Sequence, residues 1–86
     1  MKKQTIKRIA NSLRKNNQEL LTVGTKTVSI VWGTSKMRLY FEIIDSQGDS
    51  KPIACIDYDK QEFTVEFVTD IFEPLLPLIT YLVKFA

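Results

Sequence analysis

The spacing of apolar residues switches between two periods along this chain, and those switches fix the kinds of element it can build. Ile6, Ile9, Ala10 and Leu13 follow the i, i+3, i+4, i+7 rule of one helical face. They predict an amphipathic helix over about residues 2–20, closing at Leu20 or Leu21 ahead of Gly24. From Val28 the period becomes two. Val28, Ile30 and Trp32 alternate with more polar neighbours, Gly33-Thr34-Ser35-Lys36 reads as a turn, and Met37, Leu39, Phe41 and Ile43 alternate again. Facing Trp32 with Met37, Ile30 with Leu39 and Val28 with Phe41 puts both apolar sets on one side of a hairpin.

A second hairpin follows the polar loop 45–50. Pro52 opens its first strand, Ile53 to Tyr58, and the return strand runs from Glu62 to Val68 around Asp59-Lys60. Pairing Ile56 with Phe63 and Ala54 with Val65 aligns Ala54, Ile56, Phe63, Val65 and Phe67 on a dry side. Cys55, Asp57, Glu62, Thr64 and Glu66 fall on a wet one, with Ile53 and Val68 beside them. Asp70, with Glu73 three residues later, has the spacing of a capping box before a helix from about Pro74 to Phe85. The expected fold is therefore α+β, a single small domain over residues 1–86 in the order α-β-β-β-β-α. It is a four-stranded antiparallel meander with both helices on its apolar face.

Eighty-six residues allow one thin core, and the residue inventory removes much chemistry. The chain has no histidine, hence no imidazole base, no histidine-containing triad and no imidazole metal ligand. Its one cysteine, Cys55, excludes an internal disulfide and a CxxC site, and with no adjacent cation it reads as an inert thiol. Asp45-Ser46-Gln47-Gly48-Asp49 is too short and too poor in ligands for an EF-hand loop, so neither a metal nor a cofactor is expected. Carboxylate pairs such as Asp57 with Asp59 lack the cleft that a glycosidase needs between its two acids. The longest apolar stretch, Leu75 to Val83, is half of the roughly 20 residues needed to cross a bilayer. No apolar run follows the basic N-terminus, so the cytoplasm is the expected compartment and no membrane partner is expected.

Charge is the remaining signal. The net charge is +2, yet residues 1–18 carry six cations and no acid, while residues 39–73 carry nine acids against two lysines. Lys3, Lys7 and Arg14 fall within about 40° on a helical wheel, and with Arg8 and Lys15 they form a patch able to neutralise phosphates. No helix-turn-helix, zinc-finger or RNP-type pattern accompanies it. On the wet sheet face Arg38, Tyr40 and Glu42 interleave charge with an aromatic, and Asp57, Asp59, Glu62 and Glu66 lie on the following hairpin. That mixture suits contact with a protein.

The expected function is a non-enzymatic protein-interaction module. It would be a small inhibitor or accessory factor of the kind carried by phages and mobile elements, binding through Arg38, Tyr40, Glu42, Asp57, Asp59, Glu62 and Glu66. The alternative is a nucleic-acid-binding accessory protein acting through Lys3, Lys7, Arg8, Arg14 and Lys15. The C-terminal helix, apolar around much of its circumference at Leu76, Tyr81 and Phe85, is the expected seam of a homodimer.

Overall fold

A computed structural model describes residues 1–67 and 69–84. Helix α1 spans Lys3–Lys15 and is followed by strands β1 (Gln18–Val23), β2 (Lys26–Trp32), β3 (Arg38–Ile44), β4 (Ser50–Asp57) and β5 (Glu62–Val65), then helix α2 (Phe72–Val83). The strands form one antiparallel sheet in sequence order. The fold is α+β with two helices, as expected, but the sheet has five strands rather than four.

The extra strand comes from the segment expected to finish the first helix. A helical stripe continuing beyond Leu13 needs apolar residues at 16 and 17, and the chain has Asn16 and Asn17 there. The helix ends at Lys15, with the Asn16 amide donating to the Ser12 carbonyl. β1 then turns into β2 through Gly24-Thr25. Gly24 sits at φ +62° in the first central position and Thr25 is not left-handed, which is the pattern of a II′ hairpin turn.

The β2–β3 hairpin is two residues out from the expected pairing. Trp32 faces Leu39, Ile30 faces Phe41 and Val28 faces Ile43. The loop takes in Met37 because Lys36 adopts a left-handed φ of 58°, and the Gly33 amide donates to the Arg38 carbonyl to close it. A two-residue slip leaves every side chain on its expected face. The β4–β5 hairpin has the expected register, Ile56 with Phe63 and Ala54 with Val65, although β5 itself ends at Val65. Between β3 and β4 the register shifts after Phe41, so that Glu42 faces Pro52 and Ile53 is the extra residue of a bulge. The bulge turns Ile53 inward beside Ala54. Both are buried, which removes Ile53 from the outer face where simple alternation places it.

One core joins the layers. Ile6, Ile9, Ala10 and Leu13 from α1 and Leu75, Leu78, Ile79 and Leu82 from α2 pack with Val28, Ile30, Leu39, Phe41, Ala54 and Ile56 from the sheet. Burying each large aliphatic side chain contributes about 1.5–3 kcal/mol. Polar ties are made to the helices' own carbonyls: the Trp32 indole donates to Leu13 and the Tyr58 hydroxyl to Leu82. The expected capping box does not form. Asp70 accepts hydrogen bonds from Lys26 and Thr69 instead, and the N-cap position falls on Ile71, with no side-chain capping bond. The expected end of α2 at Phe85 and the outer-face placement of Val68 lie outside the described residues.

Candidate functional site

Among the described residues both helices pack on one side of the sheet, and its other face is open. The ladder registers arrange that face in rows. Gln18, Val31, Tyr40, Cys55 and Thr64 form the middle row, flanked on one side by Arg38, Asp57 and Glu62 and on the other by Leu20, Ser29, Glu42 and Pro52. Ser29 is fully buried although no helix among the described residues covers this face. Its neighbours cover it, and the Gln18 amide donates to its hydroxyl at 2.8 Å. Leu20 is 55% exposed beside it. The surface is therefore mixed: apolar along Leu20, Val31 and Tyr40, and charged toward β5.

One end of this face is built more firmly than the rest. Arg38 Nε lies 3.3 Å from Asp57 Oδ2, on directly opposed strand positions. The other carboxylate oxygen of Asp57 accepts the backbone amides of Asp59 and Lys60 and so holds the β4–β5 turn. These contacts keep the Asp57 carboxyl below its ordinary pKa, the Lys60 amide contributing most and Arg38 adding its charge. Arg38 is in turn held above its ordinary value, first by a hydrogen bond to the Tyr40 side chain and then by Asp57. Gly33 gives Tyr40 room to lie down, since a Cβ there would stand 3.1 Å from the ring. Around these groups is a shallow hollow of about 550 Å³, with Thr34, Ser35 and Lys60 on its rim.

Cys55 lies half-buried between Tyr40 and Thr64, and burial pushes its thiol pKa up, with Arg38 opposing and Asp57 and Glu66 reinforcing the shift. A raised thiol pKa keeps the sulfur protonated and a poor nucleophile.

Of the partner-binding residues singled out in the sequence, the structure gathers Arg38, Tyr40, Asp57 and Asp59 at the hollow. Glu62 faces Asp57 across the hairpin. Glu42 sits a row away, and Glu66 lies just past the end of β5, its amide donating to Ile53. Asp45 is an organiser of its own loop, accepting the amides of Gln47 and Asp49. No three His, Cys, Asp or Glu residues are grouped to hold a metal ion among the described residues.

The basic set is on the opposite side of the molecule. Lys3, Lys7, Arg14 and Lys15 are exposed on α1, away from the sheet. Arg8 reaches Glu19 at 3.5 Å, and the Ser12 hydroxyl donates to the same carboxylate at 2.6 Å, so part of the basic helix is tied down to β1. The sequence reading missed Gln18 and Leu20 as members of the outer face, while Ser29 lies on the side that its alternation predicted. The signal for Gln18 and Leu20 was the Val23-Gly24-Thr25-Lys26 turn, since a glycine-led two-residue loop between β-favouring runs marks a hairpin. No helix among the described residues is long and apolar enough to cross a membrane. Compared with protein-family models, with curated proteins and with solved structures, the chain finds no match.

Proposed function

We propose that this is a non-enzymatic protein-interaction module, a small inhibitor or accessory factor, which binds a protein partner with the outer sheet face and the acidic β4–β5 hairpin. The observation that carries the reading is the uncovered five-stranded face itself: Tyr40 lies at its centre beside the ordered Arg38–Asp57 pair, with exposed Leu20 to one side and acids to the other. A half-apolar patch with an aromatic and an arginine at its middle and charges at its rim is the composition of a protein contact surface. Asp59 and Glu62 supply the long-range steering toward a basic partner.

Affinity capture from a lysate of the source cell, read by quantitative mass spectrometry, tests this. A partner retained by the wild type is expected to be lost with Tyr40→Ala and weakened by Glu42→Lys or Asp59→Lys, while Lys7→Glu with Arg14→Glu leaves it bound. Capture indifferent to all three outer-face changes rejects the reading. The competing reading, a nucleic-acid accessory protein using Lys3, Lys7 and Arg14, predicts binding to DNA or RNA that falls steeply with salt and is abolished by the same Lys7→Glu, Arg14→Glu pair.

A further inference from the structure

The sheet ends in two edges of different character. β1 runs alongside the cationic helix, with Arg8 and Thr5 beside it. β5, at the other end, pairs only with β4 among the described residues. Because the Glu66 amide donates inward to Ile53, alternation along the strand directs the amides and carbonyls of Phe63 and Val65 outward, away from β4. An edge of this kind is a template for another strand.

The side chains of β5 specify which strand. Glu62 and Thr64 project on the outer face, and Glu66 continues the series, close enough to raise the pKa of the Cys55 thiol on that face. Phe63 and Val65 project on the helix side, where Val65 remains 42% exposed. A second copy of this chain is a poor occupant. The antiparallel register that overlaps the whole strand, centred on Thr64, sets Glu62 opposite Glu66 of the other copy twice over, and like charges directly opposed are destabilising. Registers centred on Phe63 or Val65 escape that repulsion only by overlapping less of the strand.

We propose that the outer edge of β5 accepts a basic extended segment of a partner protein as a sixth strand. Cationic side chains four residues apart lie opposite Glu62 and Glu66, about 13 Å apart along the strand, and intervening apolar side chains cover Phe63 and Val65. β1 carries a single acid, Glu19, and it is already paired with Arg8, so the charge segregation of the chain offers a basic segment two acids at β5 and no further one at β1. This deepens the protein-binding reading above and rests on it for the class of partner; it shares Glu62 with that surface, but what it adds is the backbone edge of β5. Main-chain pairing supplies the affinity in this mode and the alternating side chains the specificity.

The test is titration of the isotope-labelled protein with a capped peptide of alternating lysine and valine, seven residues long, followed by amide NMR shifts. Two N-methylated forms accompany it, one blocking the amides of the lysines and one those of the valines. Strand addition predicts shifts centred on the Phe63 and Val65 amides. One N-methylated form should bind at least ten-fold more weakly while the other binds as the parent does, because only one set of amides faces β5. Glu62→Lys with Glu66→Lys should weaken the parent peptide at least ten-fold and admit a glutamate–valine peptide in its place. Equal binding by both N-methylated forms, shifts centred on Arg38 and Tyr40, or no shifts at millimolar peptide would overturn the proposal. Tyr40→Ala, which disables the outer face, leaves strand addition intact, so the two proposals fail separately.

Discussion

At the scale of single residues, Asp57 shows how an acid assigned to a surface becomes part of the framework. Its two oxygens hold Arg38 and the amides of Asp59 and Lys60. Its folded-state pKa is lowered, so the stability it contributes is fully present above the ordinary value of 3.8 and is lost as pH falls through the lower folded value. Asp70, held first by the Thr69 hydroxyl and then by Lys26, behaves in the same way. Asp57→Asn with Asp70→Asn is expected to flatten the acid limb of a plot of urea midpoint against pH below about pH 4, the ordinary carboxylate range. Tyr58 has the opposite sign. Burial pushes its pKa from 10.0 to about 12, so its contribution is intact below pH 10 and declines as pH rises toward 12. Ultraviolet titration should show a tyrosinate transition near pH 12 that is missing in Tyr58→Phe. That variant also leaves the Leu82 carbonyl without its hydroxyl donor, at a cost of about 1 kcal/mol.

At the scale of elements, turn geometry and proline decide where strands and helices stop. Gly24 holds the β1–β2 turn at φ +62° with open space around its Cα, so the cost of a side chain there is purely conformational. Gly24→Ala is expected to lower stability by about 1 kcal/mol and Gly24→Asn by less, measured by urea denaturation. α2 begins with Glu73 in its first turn, yet it contains Pro77, which denies the Glu73 carbonyl its helical partner. Replacing an interior proline by alanine recovers roughly 3 kcal/mol of helix propensity and gives back about 1 kcal/mol of unfolded-chain freedom. Pro77→Ala should therefore raise stability by about 2 kcal/mol, the balance of those two quantities, seen as a higher thermal midpoint. The strand that the sequence hid, β1, was concealed because Leu20 falls seven residues after Leu13 and so extends a helical stripe on paper. The break is visible only in Asn16 and Asn17, which polar helix faces also tolerate.

At the scale of the whole molecule, the two-layer arrangement separates charge. The exposed cations of α1 look away from the sheet, while Glu42, Asp57 and Glu62 occupy its open face. α2 sends Leu75, Leu78, Ile79 and Leu82 into the core and leaves Leu76 and Tyr81 exposed at about 140° from one another around the helix. The homodimer seam expected on this helix rests on these two side chains and on Phe85, which lies outside the described residues. Light scattering tests it: a doubled mass that Leu76→Lys returns to the 9.9 kDa monomer establishes association through α2, and a monomer mass for the wild type rejects it.

The sequence by itself determined the class of element and the faces. The 3.6-residue spacing of Ile6, Ile9, Ala10 and Leu13 and the two-residue spacing of Val28, Ile30, Leu39, Phe41, Ala54 and Ile56 each name one side that must leave water, and all of these residues are buried in the core. Charge segregation was equally legible, because it is a property of composition along the chain. What only the tertiary structure decided is which polar residues act together. Arg38, Asp57 and Tyr40 meet because antiparallel pairing brings positions 17 and 19 residues apart side by side, and Glu19 was drawn to Arg8 and Ser12 by a strand that local spacing did not reveal. Ile53 likewise reverses its face through a bulge, whose extra residue depends on the register of two strands and not on the alternation within either. Local periodicity is set by backbone geometry within one element, whereas register, bulges and side-chain clusters are set by how separate elements fit against each other.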